Sequence, residues 1–260
     1  MGKYCKGIVI LLCLLFASSA YAVSPAILHG MSGGASASTC DTTNIVFWWR
    51  AYAADFTATN NTLDYSANDT TGIVQGPSSI HADASYFVTG NGVYSSGGYG
   101  RVDFDEPSET IDDEFRVGFW VKINTWVDGN SFWRITQDGD NTADLRMSGS
   151  DELYFYWEDN NNVATALVTT DANISTGTWY FIQIAGKTST NYREIFVDGS
   201  APGTWVSSAS ISSFAGAPYI MYIGDVWGGA SDFYLDNIII STDSTVDLFR
   251  NCKDEEEWPE

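Results

Sequence analysis

The sequence predicts an all-β fold, a single antiparallel β-sandwich of about twelve strands, on three observations. Phe115 to Glu158 reads as four consecutive strands folded back by short polar turns. In its first strand Phe115, Val117, Phe119, Val121 and Ile123 alternate with Arg116, Gly118, Trp120, Lys122 and Asn124, and a period of two places the first set on one buried face. Asp128-Gly129 and Asp138-Gly139 punctuate the β-rich runs where hairpin turns need a positive φ. The chain is also 15% aromatic and rich in Gly, and it lacks a convincing helix-forming run.

Taken in order, the chain opens with Lys3 and Lys6 before the apolar run Ile8 to Phe16, followed by Ala20-Tyr21-Ala22. That is the pattern of a signal peptide over 1–22, cut after Ala22, so the mature chain is expected to be secreted, extracellular or periplasmic. No segment reaches the ~20 apolar residues of a membrane-spanning helix, so membrane insertion is not expected. Residues 23–43, with their SGGASAS run, read as a flexible tether, 44–244 as the folded domain, and 245–260 as an exposed acidic tail. Once the leader is gone Cys40 and Cys252 are the remaining cysteines, and in an oxidising compartment they either pair across the domain or stay as two thiols.

Charge narrows the partners. With 12 Lys+Arg against 33 Asp+Glu the net charge is −21, which repels nucleic acid and anionic membranes and attracts divalent cations. Asn44 to Trp49 is compact enough for a strand buried on both sides, and Leu63 to Gly72 reads as a polar loop whose Asp64, Asn68 and Asp69 are oxygen ligands of the kind calcium uses. Tyr99 to Phe104 is a short strand. The acidic connector Glu106 to Glu114 suits a solvated loop better than a catalytic centre.

Within the central meander, parity puts Trp133, Ile135, Leu145, Met147, Leu153, Phe155 and Trp157 in the core. Arg134, Asp144, Arg146, Glu152, Tyr154, Tyr156 and Glu158 take the opposite side. Turns centred on Asp140 and Ser150 would set Arg146 opposite both Arg134 and Tyr154. Two arginines beside two tyrosines suit an anionic or hydroxyl-rich ligand, unless Asp144, Glu152 and Glu158 neutralise them and leave a merely solvated face. Further strands follow at Val163 to Thr169, Thr178 to Gly186, Tyr192 to Gly199, Tyr219 to Gly224 and Phe233 to Ser241, the second and third of them forming a hairpin. Trp227, in the Gly-rich loop Asp225 to Asp232, is a second candidate ligand contact.

The elements GTWYFIQIAG, REIFVDGS, YIGD and FYLDNIII, preceded by NIVFWW and FRVGFWVKI, resemble the strands of laminin-G-like, concanavalin A-like lectin and glucanase jelly rolls over about Asn44 to Ser241. The resemblance implies two curved antiparallel sheets, a carbohydrate- or protein-binding module, and a structural Ca2+ held by Asp64, Asn68 and Asp236. It also implies neighbouring termini, which favours a Cys40–Cys252 bridge. Enzymes of similar fold are disfavoured by the residues. No Glu-x-Asp-x-Glu triplet occurs, and Glu152 and Glu158 are separated by roughly 20 Å of strand, too far for a glycosidase pair. His29 in the tether and His81 in a loop region match no lyase or serine-triad pattern, and zinc ligands are lacking. The expected function is a non-catalytic, lectin-like module for a glycan or cell-surface polysaccharide. A structural or adhesive protein that binds another protein is the alternative, and a glycan-active enzyme with an unrecognised site comes third.

Overall fold

The computed structural model describes residues 40, 42–49, 61–63, 71–75, 80–84, 91–96, 100–105, 114–137, 141–149, 152–158, 164–169, 172–201, 220–225 and 232–252. All of them belong to the unit Ser36–Glu260. The expected signal peptide, the tether before Cys40, the loop residues Asp64 and Asn68, Trp227 and residues 253–260 lie outside the described residues.

Fifteen strands form among the described residues, more than the dozen expected. β1 to β6 are Ile45–Trp49, Asn61–Leu63, Thr71–Gln75, Ile80–Ala84, Asn91–Ser96 and Gly100–Asp105. β7 (Glu114–Thr125), β8 (Ser131–Gln137), β9 (Asn141–Ser148) and β10 (Glu152–Glu158) make up the central stretch. β11 (Ala164–Val168), β12 (Trp179–Lys187), β13 (Tyr192–Val197), β14 (Ile220–Asp225) and β15 (Asp232–Ser241) follow, and α1 (Leu248–Asn251) is a single turn of helix. The extra strands come from the stretch read as loop. Leu63 closes β2, Thr71 and Gly72 open β3, and His81 lies in β4 opposite Tyr94.

Every pairing is antiparallel within two sheets. The seven-stranded sheet runs β13-β12-β7-β15-β5-β4 with β1 also on β15, and the eight-stranded sheet runs β11-β10-β9-β8-β14-β6-β3-β2. Their inner faces meet in one aromatic core. Phe115 of β7 lies 5.0 Å from Trp157 of β10 and 5.8 Å from Trp133 of β8, while Phe132 lies 5.2 Å from Phe233 of β15. The core residues expected from the alternation in β7 to β10 are all fully buried. Each large apolar side chain removed from water in this way stabilises the fold by about 1.5–3 kcal/mol. The sheets approach so closely at Gly186 that a Cβ there would stand 2.0 Å from the Trp157 ring. Only glycine fits at that point.

Two expectations about the central stretch are corrected. β7 pairs with β12 and β15, whereas β8 pairs with β9 and β14, so Asp128-Gly129 is not a hairpin turn but a crossing from one sheet to the other. Gly129 has φ 86°, and it and Asn130 bond to Met147 at the end of β9. β7 is also less amphipathic than its pattern suggests, because Arg116 and Trp120 are each 5% exposed. The reason lies at the chain ends. Cys40 and Cys252 form a disulfide, and with Leu248 they join Ile45, Trp48, Trp120, Phe181 and Ile239 in a second apolar layer on the outer face of the seven-stranded sheet. The segment read as tail from Thr245 therefore starts as part of the folded domain, since burying Leu248 and Cys252 removes apolar surface that a solvated tail would leave in water.

Candidate functional site

The outer face of the eight-stranded sheet carries the residues singled out as ligand contacts, in rows that run across the strands. One row is Asp103, Tyr222, Arg134, Asp144 and Tyr156, on β6, β14, β8, β9 and β10. The next is Ser131, Arg146, Tyr154 and Val168. Arg146 thus faces Tyr154 as expected, but Arg134 faces Asp144 rather than Arg146. The turn between β8 and β9 centres on Gly139 rather than Asp140, because Gln137 pairs with Asn141. A shift of two residues keeps every side chain on its face while changing its partner. Here it exchanges a repulsive pair for an attractive one.

A bulge between Ser131 and Trp133 completes the site, sending both Phe132 and Trp133 into the core and leaving Ser131 outside. Ser131 Oγ donates to Asp144 Oδ1 at 2.7 Å, and Arg146 Nε stands 3.6 Å from Asp144 Oδ2. Burial pushes the Asp144 carboxyl up from its ordinary range, against the pull of the Ser131 hydrogen bond and the two guanidinium groups. Arg134 is 8% exposed; burial lowers its affinity for the proton while Asp144 opposes that, and its Nη2 reaches Thr142 Oγ1 at 3.4 Å. It supports the face from beneath.

Arg146 and the tyrosines are the accessible part. The Arg146 guanidinium lies 4.7 Å from the Tyr154 ring centre and 5.2 Å from that of Tyr156. The two rings are near-parallel, 16° apart, with centres 6.3 Å apart. Tyr156 donates to Glu158 Oε2 at 2.8 Å, and burial followed by that bond pushes its hydroxyl up to about 12. It is therefore a neutral donor at any physiological pH. Cation–π contact orients the guanidinium, so the three side chains form a pre-arranged platform on rigid strands. Such a platform can stack on a sugar ring and hydrogen-bond its hydroxyls in the ring plane.

Trp227, Asp64 and Asn68 lie outside the described residues. Asp236 is on the other sheet, 1% exposed and opposite Trp120, beside a bulge where Asn237 takes φ 49° and accepts from Trp48 Nε1. No group of three or more His, Cys, Asp or Glu suited to a metal occurs among the described residues. One grouping escaped the sequence reading. Lys122, Trp179 and Tyr234 meet on the outer face of the seven-stranded sheet, with Lys122 Nζ 3.9 Å from the Tyr234 ring centre and 5.3 Å from that of Trp179. Their signal, alternation on β7, β12 and β15, was visible, but the adjacency of three strands far apart in the chain was not.

Comparison with known proteins matches this architecture. Residues 96–243 match the family model of the concanavalin A-like lectin/glucanases superfamily, laminin G type. No curated protein matches the sequence. Similar solved structures include the receptor binding domain of botulinum neurotoxin C/D mosaic serotype, at TM-score 0.60 and 12% identity over 81% of this chain and 51% of that one. The binding domain of botulinum neurotoxin DC in complex with SialylT is similar at TM-score 0.60 and 14% identity, over 81% and 50%. The same domain in complex with rat synaptotagmin II is similar at TM-score 0.59 and 14% identity, over 80% and 51%. This chain spans about half the length of each, and the likeness is one of fold.

Proposed function

Because the chain belongs to the concanavalin A-like lectin/glucanase superfamily, we propose that it is a secreted, non-catalytic carbohydrate-binding module whose ligand lies on the outer face of the eight-stranded sheet. The observation that carries the reading is the stacking of Arg146 over Tyr154 and Tyr156. A flat, partly exposed aromatic platform with an in-plane donor is the surface a glycan ring needs. The neighbouring structures support a binding role, since one is a complex with SialylT and another a complex with rat synaptotagmin II. Export rests on the leader-like residues 1–22, and a structural Ca2+ held by Asp64, Asn68 and Asp236 is part of the proposal. A glycan-array screen of residues 23–260, run with calcium and again with chelator, tests it. Binding to one glycan class that Arg146→Ala or Tyr154→Ala abolishes supports the site, and loss of that binding with chelator supports the ion. Retention by a surface protein regardless of added sugar favours the adhesive alternative instead.

A further inference from the structure

The outer face of the seven-stranded sheet ends in a cavity of about 620 Å³, between β7, β12, β13 and the segment after β15. That is the size of a small-molecule site. Two basic side chains line it in a chain with only 12 Lys+Arg among 260 residues. Arg116 and Lys187 both line it, with Thr190, Asn191, Ser244 and Thr245 supplying hydroxyl and amide groups around them.

Arg116 is the side chain without a full set of partners. It is 5% exposed, rests over the Phe196 ring at 4.6 Å and gives Gln183 Oε1 a long bond of 3.4 Å. Its guanidinium also reaches the Tyr192 hydroxyl, while Nε is buried with no hydrogen-bond partner. Nε itself is out of reach of the cavity, but the contacts to Gln183 and Tyr192 use only two of the five N–H groups. A largely buried guanidinium with donors to spare favours an anion. The nearby carboxylates make no hydrogen bond to it, although the charge of Arg116 helps to hold the Asp243 carboxyl down. Glu114 bonds Lys187 and Ser244, Asp243 accepts from the Thr245 backbone and hydroxyl, and Glu194 accepts from Tyr192.

We propose that this cavity is a second binding site, which takes a carboxylate borne on a hydroxylated ring, the chemistry of a sugar acid. Arg116 receives the carboxylate, Lys187 adds a second positive charge, and the threonine hydroxyls and Asn191 meet the ring hydroxyls. The site lies on the opposite sheet from the Tyr154 platform, so it stands or falls separately from it.

Titration calorimetry of the full chain with glucuronate, galacturonate and N-acetylneuraminate tests the proposal, with glucose and glucuronate methyl ester as neutral controls. At least one acid binds, its neutral counterpart binds about tenfold more weakly or worse, and added salt weakens the acid. Arg116→Gln and Lys187→Gln each weaken it about tenfold or more, and Thr190→Trp, a change at an exposed residue on the rim, blocks it. Tyr154→Ala leaves it unchanged. Should Arg116→Gln fail to fold, Lys187→Gln and Thr190→Trp decide. Absence of binding by all three acids at millimolar concentration overturns the proposal, as does binding that Thr190→Trp leaves intact or that Tyr154→Ala removes. A Glu-rich peptide that binds where no sugar acid does, and is blocked by Thr190→Trp, overturns it in favour of a peptide site.

Discussion

On the outer face of the seven-stranded sheet Trp48, Trp120, Phe181 and Ile239 are buried beneath Leu248 and the Cys40–Cys252 bridge. On the outer face of the eight-stranded sheet Arg146, Tyr154 and Tyr156 stay half-buried and lean on one another instead. Both faces are built from strands that alternate inward and outward, so pleating does not separate them. The chain ends do. The segments around Cys40 and Leu248–Cys252 lie on one sheet and convert the middle of its outer face into a second core. Among the described residues, the face without that cap is the one that presents polar and aromatic groups together.

The sharpest way to break this contrast is to remove the clamp. The bridge joins residues 212 apart, and Cys40→Ser with Cys252→Ser is expected to cost about 4 kcal/mol in a denaturant titration. An unchanged midpoint would mean the outer layer holds itself in place. Next comes Leu248→Ala, which truncates a fully buried side chain of that layer and should cost about 3 kcal/mol. Tyr154→Ala on the other face should cost under about 1 kcal/mol. Equal costs for the two would erase the distinction between a structural and a binding face.

Asp144→Asn probes the polar face. It keeps an acceptor for Ser131 but removes a carboxylate whose burial outweighs the pull of Arg134 and Arg146, so stability at neutral pH should hold or rise slightly. A clear loss of stability at neutral pH would show instead that the two arginines depend on the charge of Asp144.

The smallest effect is on pH dependence. Burial pushes the Glu114 carboxyl up, but the hydrogen bonds from Lys187 and Ser244 outweigh it and hold the group below its ordinary value of 4.5. Its stabilisation is full above that value and is lost as pH falls through the folded pKa. Asp144 runs the other way. Its folded pKa is raised, so the stability it withholds at neutral pH is regained as pH falls through that value towards the unfolded one. Stability measured from pH 3 to 7 should therefore decline less steeply on acidification in Glu114→Gln and more steeply in Asp144→Asn. Parallel curves for all three proteins would remove both groups from the acid response.

Much of the fold was legible in the residues. Phe115, Val117, Phe119, Val121 and Ile123 are buried as their spacing requires, and Asp198-Gly199 ends the β12–β13 hairpin with positive φ at both residues. The strands β2 to β5 were not, because their short stretches alternate weakly and mix turn residues with strand residues. For the site, the face of Arg134, Arg146, Tyr154 and Tyr156 was readable, whereas the partner of Arg134 was not. Moving the turn's centre by one residue shifts the register by two, which preserves the face and replaces Arg146 by Asp144.

By itself, then, the sequence determined what is local: which side chains share a face, where the chain turns, and which two cysteines could meet. The tertiary structure alone decided which sheet each strand joins, that Asp128-Gly129 crosses between sheets, and which outer face the termini cover. Period-two patterning specifies the two sides of a strand without naming its neighbour. The neighbour is selected by packing between residues far apart in the chain, as in the meeting of Leu248, Phe181 and Trp120 over Gly118.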